Sequence, residues 1–408
     1  MVFVGVDWAE GHNDVLVMDE VGAVLGRRRC RVGVEGLAEL HGLIGDHADE
    51  PEQVVVGIEL DSGLVVSALV GAGYRVYATN PLAASRYRDR HTTSGAKSDA
   101  GDAKLLADLV RTDRHNHRPV AGDSDEAGAI RALARAHQAL IWTRRRQVNA
   151  LRSALRDYFP GALAAFGTDL DSTDALAVLG LAPTPALGRE LSRARIAAAL
   201  RRGGRSRNLE RRAAEIQAAL RAPQPEASPA LADALGAVTR ASVALIGPLN
   251  EQIGRLEAAL AMRFERHPDA EILSSLPGLG VVLSARVLGE FGDEPNRYAD
   301  AKGRKAYAGT APITKASGRS QVVLARVARN RRLADACETW AFCSLTRSPG
   351  ARSYYDPLRA RGKTHRQALR QLANRWVGIL HGCLASRQGY REELAWQTNP
   401  RVPLSVAA

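Results

Sequence analysis

The sequence predicts an α/β domain at the N-terminus and a mainly helical remainder. Three observations lead there. Short apolar runs alternate with turn and helix signals over the first hundred residues. Beyond residue 98 the apolar spacing becomes helical. Hydrophobic residues make up 45% of the 408 residues but aromatic residues only 5%, so Ala, Val and Leu must fill the core, which favours helices. A chain of this length holds two or three domains. The expected boundaries are 1–125 for the α/β domain, 126–268 for a helical and coiled-coil region, 269–395 for a C-terminal domain, and 396–408 for a tail.

Residues 2–6 form an apolar run that ends at Asp7, and residues 14–18 form a second. Asp19-Glu20-Val21-Gly22 has turn composition, so residues 23–32 return as a third strand of an antiparallel meander. A helical pattern follows around residues 37–44. Residues 54–58 are apolar almost throughout before Glu59, the pattern of a strand buried on both faces. Residues 63–70 read as a helix and 74–79 as a fifth strand, broken by Asn80-Pro81. The order βββαβαβ followed by a helix is that of an RNase H-like domain. The closing helix spans 98–113, with Ser98 as N-cap and Leu105, Leu106, Leu109 and Val110 as its apolar face.

Residues 129–157 place apolar side chains near heptad spacing, from Ile130 and Leu133 to Leu151 and Leu155, and Arg144, Arg145 and Arg146 ride on the same helix. Residues 160–187 are mixed and contain proline, and no element is assigned there. Residues 189–212 are Arg-rich with a break at Gly203-Gly204, and 223–229 form a loop. Ile246, Leu249, Ile253, Leu256 and Leu260 step 3-4-3-4, a coiled-coil seam that suits a core helix or an oligomerisation helix equally. Pro248 kinks that helix or marks its start.

The formal net charge is +12, from 56 Lys and Arg against 44 Asp and Glu, which points to a polyanionic partner, most simply nucleic acid. The competing reading is a soluble protein with a basic surface. Residues 1–60 carry twelve acids and four basic residues, while 129–160 carry seven Arg and one acid, and 301–334 carry nine Lys and Arg and no acid. An acidic module followed by basic ones suits a metal site beside nucleic-acid grips. Cys30, Cys337, Cys343 and Cys383 form no CxxC pair, which argues against zinc and against a disulfide framework. The first fifteen residues lack the pattern of a signal peptide, and no run of about 18 apolar residues supports a membrane span. The expected compartment is the cytoplasm, with nucleoid association when bound to DNA.

Asp99 and Asp102 lie three apart at the start of a helix and share a face. Acids at a helix N-terminus are favoured by the macrodipole alone. Asp7 and Glu59 alter that reading, because each ends an apolar strand. If those strands pair, four carboxylates converge, a hard oxygen donor set suited to Mg²⁺ or Mn²⁺. Two such ions stabilise the attacking and leaving oxygens in phosphoryl transfer. Glu10, Asp14 and Asp61 rank lower, as turn or surface acids. Leu276-Pro277-Gly278-Leu279-Gly280 fits a helix-hairpin-helix, in which the backbone N–H groups around Gly278 and Gly280 hold a phosphate. The plain alternative is a turn between packed helices. Lys315-Ala316-Ser317-Gly318-Arg319-Ser320 sets two serines among cations, the composition of an activated nucleophile or of a basic phosphate-contacting loop.

Taken together, these segments resemble the insertion-sequence transposases with an Asp-Glu-Asp-Asp signature, described as bridge-RNA-guided serine recombinases. The resemblance rests on Gly5-Val6-Asp7, Gly57-Ile58-Glu59, Asn80-Pro81, Lys97-Ser98-Asp99 with Asp102-Ala103, Leu276 to Gly280, Ala308-Gly309-Thr310-Ala311-Pro312, Ser317-Gly318, and Arg361-Gly362-Lys363. It covers nearly the whole chain. It implies an RNase H-like domain, a coiled-coil insertion and a C-terminal transposase domain. It implies that Asp7, Glu59, Asp99 and Asp102 bind Mg²⁺ and that Ser317 forms a covalent link to DNA. It further implies a guide RNA that pairs with target and donor DNA. A homo-oligomer, dimer or tetramer, also follows, in which one subunit's serine completes another's carboxylate site. Ser98 and Ser62 stand where threonine is frequent, and Val327-Ala328-Arg329-Asn330 lacks a glycine before the asparagine. Ser320 lies close by, so the choice of Ser317 rests on the Ser-Gly match. Arg144, Arg145, Arg146, Gly278, Gly280, Lys315 and Arg319 are the expected nucleic-acid contacts. The alternatives are a structure-selective nuclease on the same scaffold, resembling a junction resolvase, and a nucleic-acid-binding protein without catalysis.

Overall fold

Side-chain parity organises the N-terminal part of the chain. In the computed structural model, which describes residues 1–91, 99–117, 119–120, 122–318, 320–327 and 329–396, the chain divides into two units, Met1–Gly122 and Asp123–Ala408. Side chains at 90, 91, 99 and 100 lie outside the description, as do Lys97, Ser98, Arg319 and the tail. Strands β1 (Val2–Trp8), β2 (His12–Met18) and β3 (Val24–Arg31) form the meander, followed by α1 (Val34–Gly45), β4 (Val54–Ile58), α2 (Leu64–Gly71), β5 (Arg75–Ala78), α3 (Pro81–His91) and α4 (Asp99–Thr112). The sheet order is β3-β2-β1-β4-β5, antiparallel on the meander side and parallel where β1 meets β4 and β4 meets β5.

One face of this sheet buries Val2, Val4, Val6, Val54, Val56 and Ile58 with Leu40 and Leu69 of α1 and α2. The opposite face packs Phe3, Val55, Leu16 and Met18 against Ala103, Ala107 and Val110 of α4. Strand β4 is buried on both faces, as its unbroken apolar run predicts. Helix α3 was not anticipated. Pro81 opens it at the position where a missing N–H costs nothing, and the Asn80 side chain accepts from the Leu82 N–H at 2.8 Å.

The second unit is built on two long antiparallel helices, α5 (Asp125–Tyr158) and a partner, α11, that returns after five shorter ones. These are α6 (Pro160–Phe166), α7 (Thr173–Leu181), α8 (Pro185–Glu190), α9 (Arg193–Arg202) and α10 (Leu209–Arg221), with α11 spanning Pro229–Arg266. Residues 160–187, unassigned from sequence, are three short helices started by proline or by Ser172 and Thr184 caps. They enclose a core around Tyr158, Phe159, Leu179, Leu200 and Ile216. The apolar seam on α11 is used inside the chain: Ile246, Ile253 and Leu260 are buried, and α11 packs along α5. The pair is pinned by His137–Glu257 at 3.0 Å, Arg144–Asn250 at 2.8 Å and Arg263–Glu126 at 2.9 Å. Pro248 neither starts nor interrupts α11. By length and composition α11 is apolar enough to cross a membrane, although the sequence showed no unbroken apolar run.

The remaining elements are α12 (Ala270–Ser274), α13 (Val281–Phe291), α14 (Ala301–Tyr307), β6 (Ile313–Ser317), β7 (Ser320–Leu324), α15 (Arg331–Ser344), α16 (Pro349–Ala360), α17 (His365–Ser386) and α18 (Glu392–Trp396). Their helices bury Trp340 and Trp376, stacked with ring centroids 5.3 Å apart.

Candidate functional site

Two glycines set the geometry of the acidic end of the sheet. Gly5 and Gly57 are register partners on β1 and β4. A Cβ on Gly5 would lie 1.8 Å from the Ala103 carbonyl oxygen, and one on Gly57 2.5 Å from that of Leu106. Helix α4 therefore rests directly on the backbone of both strands. Parity then places Asp7, two residues past Gly5, on the α4 side of the sheet. Glu59, the residue after β4, has the parity of Gly57. The guanidinium of Arg114, just past the end of α4, sits 5.4 Å over Phe3 near the start of β1. The helix thus runs against β1, and its N-terminal turn lies at the Asp7 and Glu59 end. Asp102 is on that turn and is buried, with Asp99 one turn earlier in the same helix. The Asp99 side chain lies outside the described residues.

Asp102 forms an ion pair with Arg88 of α3. Asp7 faces Asp14 in the β1–β2 register. Asp14, expected among the turn or surface acids, is a buried strand residue. Arg29 grips it with two hydrogen bonds of 2.9 Å, and His12 Nε2 lies 3.3 Å from its Oδ2. Arg29, Arg88 and His12 were missed because their roles depend on cross-strand and helix-to-helix neighbours. The placement of Asp7 and Asp14 on either side of the short β1–β2 turn at residues 9–11 was the available signal. Among the described residues, no three His, Cys, Asp or Glu side chains form a metal-holding group. Carboxylates are the donor type that a hard divalent ion takes.

In the second unit, the predicted serine loop is a hairpin. Ser317 pairs with Ser320 as the last rung of β6 and β7, and Gly318 in the turn has φ +55°. Both serines and Lys315 are exposed. The preceding Ala308-Gly309-Thr310 segment anchors this hairpin. Gly309 adopts φ +70° against the Arg329 side chain, and Thr310 Oγ1 lies 3.2 Å from Asn374 Oδ1 on α17. Gly278, with φ +85°, is pressed onto α15, where a Cβ would meet Ser344 N at 2.6 Å; Gly280 caps α13 and has open space. Of the three arginines on α5, Arg144 is bound to Asn250 and lies 3.3 Å from Asp171, whereas Arg145 and Arg146 are exposed.

A buried network also escaped the sequence reading. Arg135 holds Glu290 through two hydrogen bonds of 2.8 and 2.9 Å, and Asn330 donates to the same carboxylate at 2.7 Å. Asn330 also caps α15. Burial pushes the Glu290 carboxyl up, but the Arg135 and Asn330 bonds and the Arg332 charge outweigh it and hold it below the usual range.

Residues 4–160 match the transposase family of the IS110 Asp-Glu-Asp-Asp type, and residues 270–356 match the IS116/IS110/IS902 transposase family. The chain is 43% identical over 399 residues to the mini-circle protein assigned as the transposase for IS117 in Streptomyces coelicolor, covering 97% of this chain and 96% of that one. The chain belongs to the IS110 family of insertion-sequence transposases. Among other relatives are the 42 kDa protein of insertion element IS900 in Mycobacterium paratuberculosis, 33% identical over 95% of this chain and 97% of that one, and the 43.6 kDa protein of IS110 in Streptomyces coelicolor, 30% identical over 90% and 88%. An IS110-family transposase is a DNA-acting enzyme, so its chemistry is phosphoryl transfer. The first match contains Asp7, Glu59, Asp99 and Asp102, and the second contains Gly278, Gly280 and the Ser317 hairpin.

Proposed function

We propose that this transposase cleaves and exchanges DNA strands in a Mg²⁺-dependent reaction, with an RNase H-like N-terminal unit carrying the carboxylates and Ser317 acting as the nucleophile. The observation that carries this reading is the shared parity of Asp7 and Glu59 at adjacent strand ends beneath the α4 turn bearing Asp102. Asp7, Glu59, Asp99 and Asp102 would hold the ion. A divalent ion held by them would supply stabilisation of charge on the attacking and leaving oxygens. Arg88 positions the Asp102 carboxylate, and the Arg29 fork keeps Asp14 from adding an unbalanced charge beside Asp7.

The Ser317 hydroxyl sits at an exposed hairpin tip with Lys315 nearby in the same strand. Its oxygen attacks a DNA phosphorus, one phosphorus–deoxyribose oxygen bond breaks, and the released hydroxyl takes up a proton. The resulting phosphoserine ester retains the energy of the broken bond. A deoxyribose hydroxyl of a second strand then attacks the same phosphorus and frees the serine. A structured RNA pairing with both DNAs would select the sites, with the excess of basic residues contributing to its binding. The enzyme would act as a dimer or tetramer in the cytoplasm, on nucleoid DNA.

The test is incubation with Mg²⁺, candidate RNA from the DNA flanking the gene, and paired donor and target DNA. We expect joined products and a covalent protein–DNA adduct. Ser317→Ala should remove both, and Asp7→Asn should do the same. Full strand exchange by Ser317→Ala would remove the serine from the mechanism. Cleavage that needs Asp102 but not Ser317 would instead mark a structure-selective nuclease. Unchanged activity in Asp99→Asn and Asp102→Asn would exclude the carboxylates. Absence of any co-purifying RNA of defined length, with unguided joining, would remove the guide.

A further inference from the structure

Within residues 123–408 a cavity of about 390 Å³ opens between α14, α17 and the segment that leads into α18. Its size is that of a small-ligand pocket. Among the described residues, Lys305, Arg375 and Arg391 line it, and no Asp or Glu does. The neighbouring acid, Glu392, is engaged through both oxygens: Oε1 accepts from Ser348 Oγ at 2.9 Å and Gly350 N at 2.7 Å at the start of α16, and Oε2 accepts from the Tyr390 hydroxyl at 2.5 Å. Arg375 is fixed in place: it donates to the Ala395 carbonyl at 2.6 Å and lies 5.7 Å over the Trp396 ring. Burial holds the Lys305 ammonium below the usual lysine range, and the Arg375 charge adds to the effect. Two cations facing one cavity without a counter-charge are relieved by an anion.

The floor and far wall add a second chemistry. Lys305 lies across α17 at Gly378, where a Cβ would be 2.8 Å from its Nζ. One turn on, Gly382 leaves open space above the helix. Ile379, Leu394 and Tyr390 supply apolar and aromatic surface. Cations interleaved with such surface suit a phosphate joined to a nucleoside. An unpaired nucleotide can turn its base face into such a site, whereas a base stacked and paired within a duplex cannot do so without being extruded.

We propose that this pocket seats one nucleotide of a single-stranded DNA segment, with its phosphate against Lys305, Arg375 and Arg391 and its nucleoside against Ile379, Leu394 and Tyr390. The proposal rests only on the family's action on DNA and is independent of the carboxylate and serine roles above.

The test measures binding of full-length protein to a labelled oligothymidylate of about twelve nucleotides, a length within the usual range of single-strand sites. Gly382→Leu projects a side chain into the cavity without changing charge, at a helical position where an added Cβ has open space. It should weaken single-strand binding about fivefold or more at an unaltered unfolding temperature, and leave duplex binding unchanged. Lys305→Gln with Arg375→Gln should weaken it further and reduce the slope of log K against log salt by about 0.7 for one lost phosphate contact. Arg193→Gln with Arg195→Gln removes the same charge from exposed sites on α9 and serves as the control. Single-strand affinity unaltered in Gly382→Leu overturns the proposal. Equal losses in the two charge variants, pocket and control, also overturn it. If inorganic phosphate or thymidine monophosphate raises the unfolding temperature of wild type but not of the pocket variants, while oligonucleotide affinity is unaffected in those variants, the site takes free anions and the DNA assignment fails.

Discussion

Asp7 and Asp14 stand opposite each other across β1 and β2, an arrangement that is unfavourable for like charges unless something offsets it. Arg29 does so through its two-pronged contact with Asp14. Because Arg29 is more than half exposed, its contribution is screened. Arg29→Met should cost about 1–2 kcal/mol of stability, mainly from the buried Asp14 left without a counter-charge. Asp14→Asn in the same background should recover most of that, and a double-mutant cycle by urea unfolding reads the coupling. Independent effects of the two substitutions would show that Arg29 does not balance Asp14. Glu290 allows a pH test. Its folded-state carboxyl lies below the usual range, so at low pH the unfolded chain binds more protons than the folded one. The stability from this group is present above the ordinary glutamate value of about 4.3 and is lost as pH falls through the lower folded value. Glu290→Gln should therefore flatten the acid limb of unfolding free energy against pH, and an unchanged limb would assign the acid sensitivity elsewhere.

At the scale of elements, the contact of α4 with the sheet depends on Gly5 and Gly57. Any side chain on Gly5 drives into the Ala103 carbonyl, and the helix backbone must move. Gly5→Val should destabilise the N-terminal unit by about 3 kcal/mol, the upper part of the usual overpacking range. It should also shift the α4 turn away from Asp7 and so reduce strand transfer more than it reduces DNA binding. Gly11→Ala, where an added Cβ meets nothing, should change stability by less than about 0.5 kcal/mol. Equal unfolding midpoints for the two variants would rule out the close approach of α4. The same spacing, a glycine two residues before an acid in Gly5-Val6-Asp7 and Gly57-Ile58-Glu59, now has a physical reading. The glycine admits the helix, and the next residue on that face emerges toward its N-terminal turn.

For the molecule as a whole, the basic excess predicts salt-sensitive nucleic-acid binding. With about six phosphates neutralised, log K for duplex DNA should fall against log salt with a slope near −5. A flat response in a titration from low to physiological salt would exclude the basic regions as grips. Much of the architecture was legible beforehand. Strand ends at Asp7 and Glu59, the meander and the long helices follow from local apolar periodicity and turn composition, which act over a few residues. So did the membership of Asp99 and Asp102 in one helix. Other features were not legible because they arise between distant segments. The seam of Ile246, Ile253 and Leu260 reads the same whether it faces another chain or α5; only packing decides that it faces α5. Asp14 resembles a surface acid until the register sets it beside Asp7, and Arg88 until α3 is laid against α4. Sequence alone therefore determined the meander, the buried strand β4 and the long helices, because propensity and periodicity are local, whereas α3 and the short helices of 160–190 emerged only in the structure. Tertiary structure decided which charges meet, because register and helix approach are set by close packing across the chain, and Gly5 and Gly57 together admit α4 to the sheet.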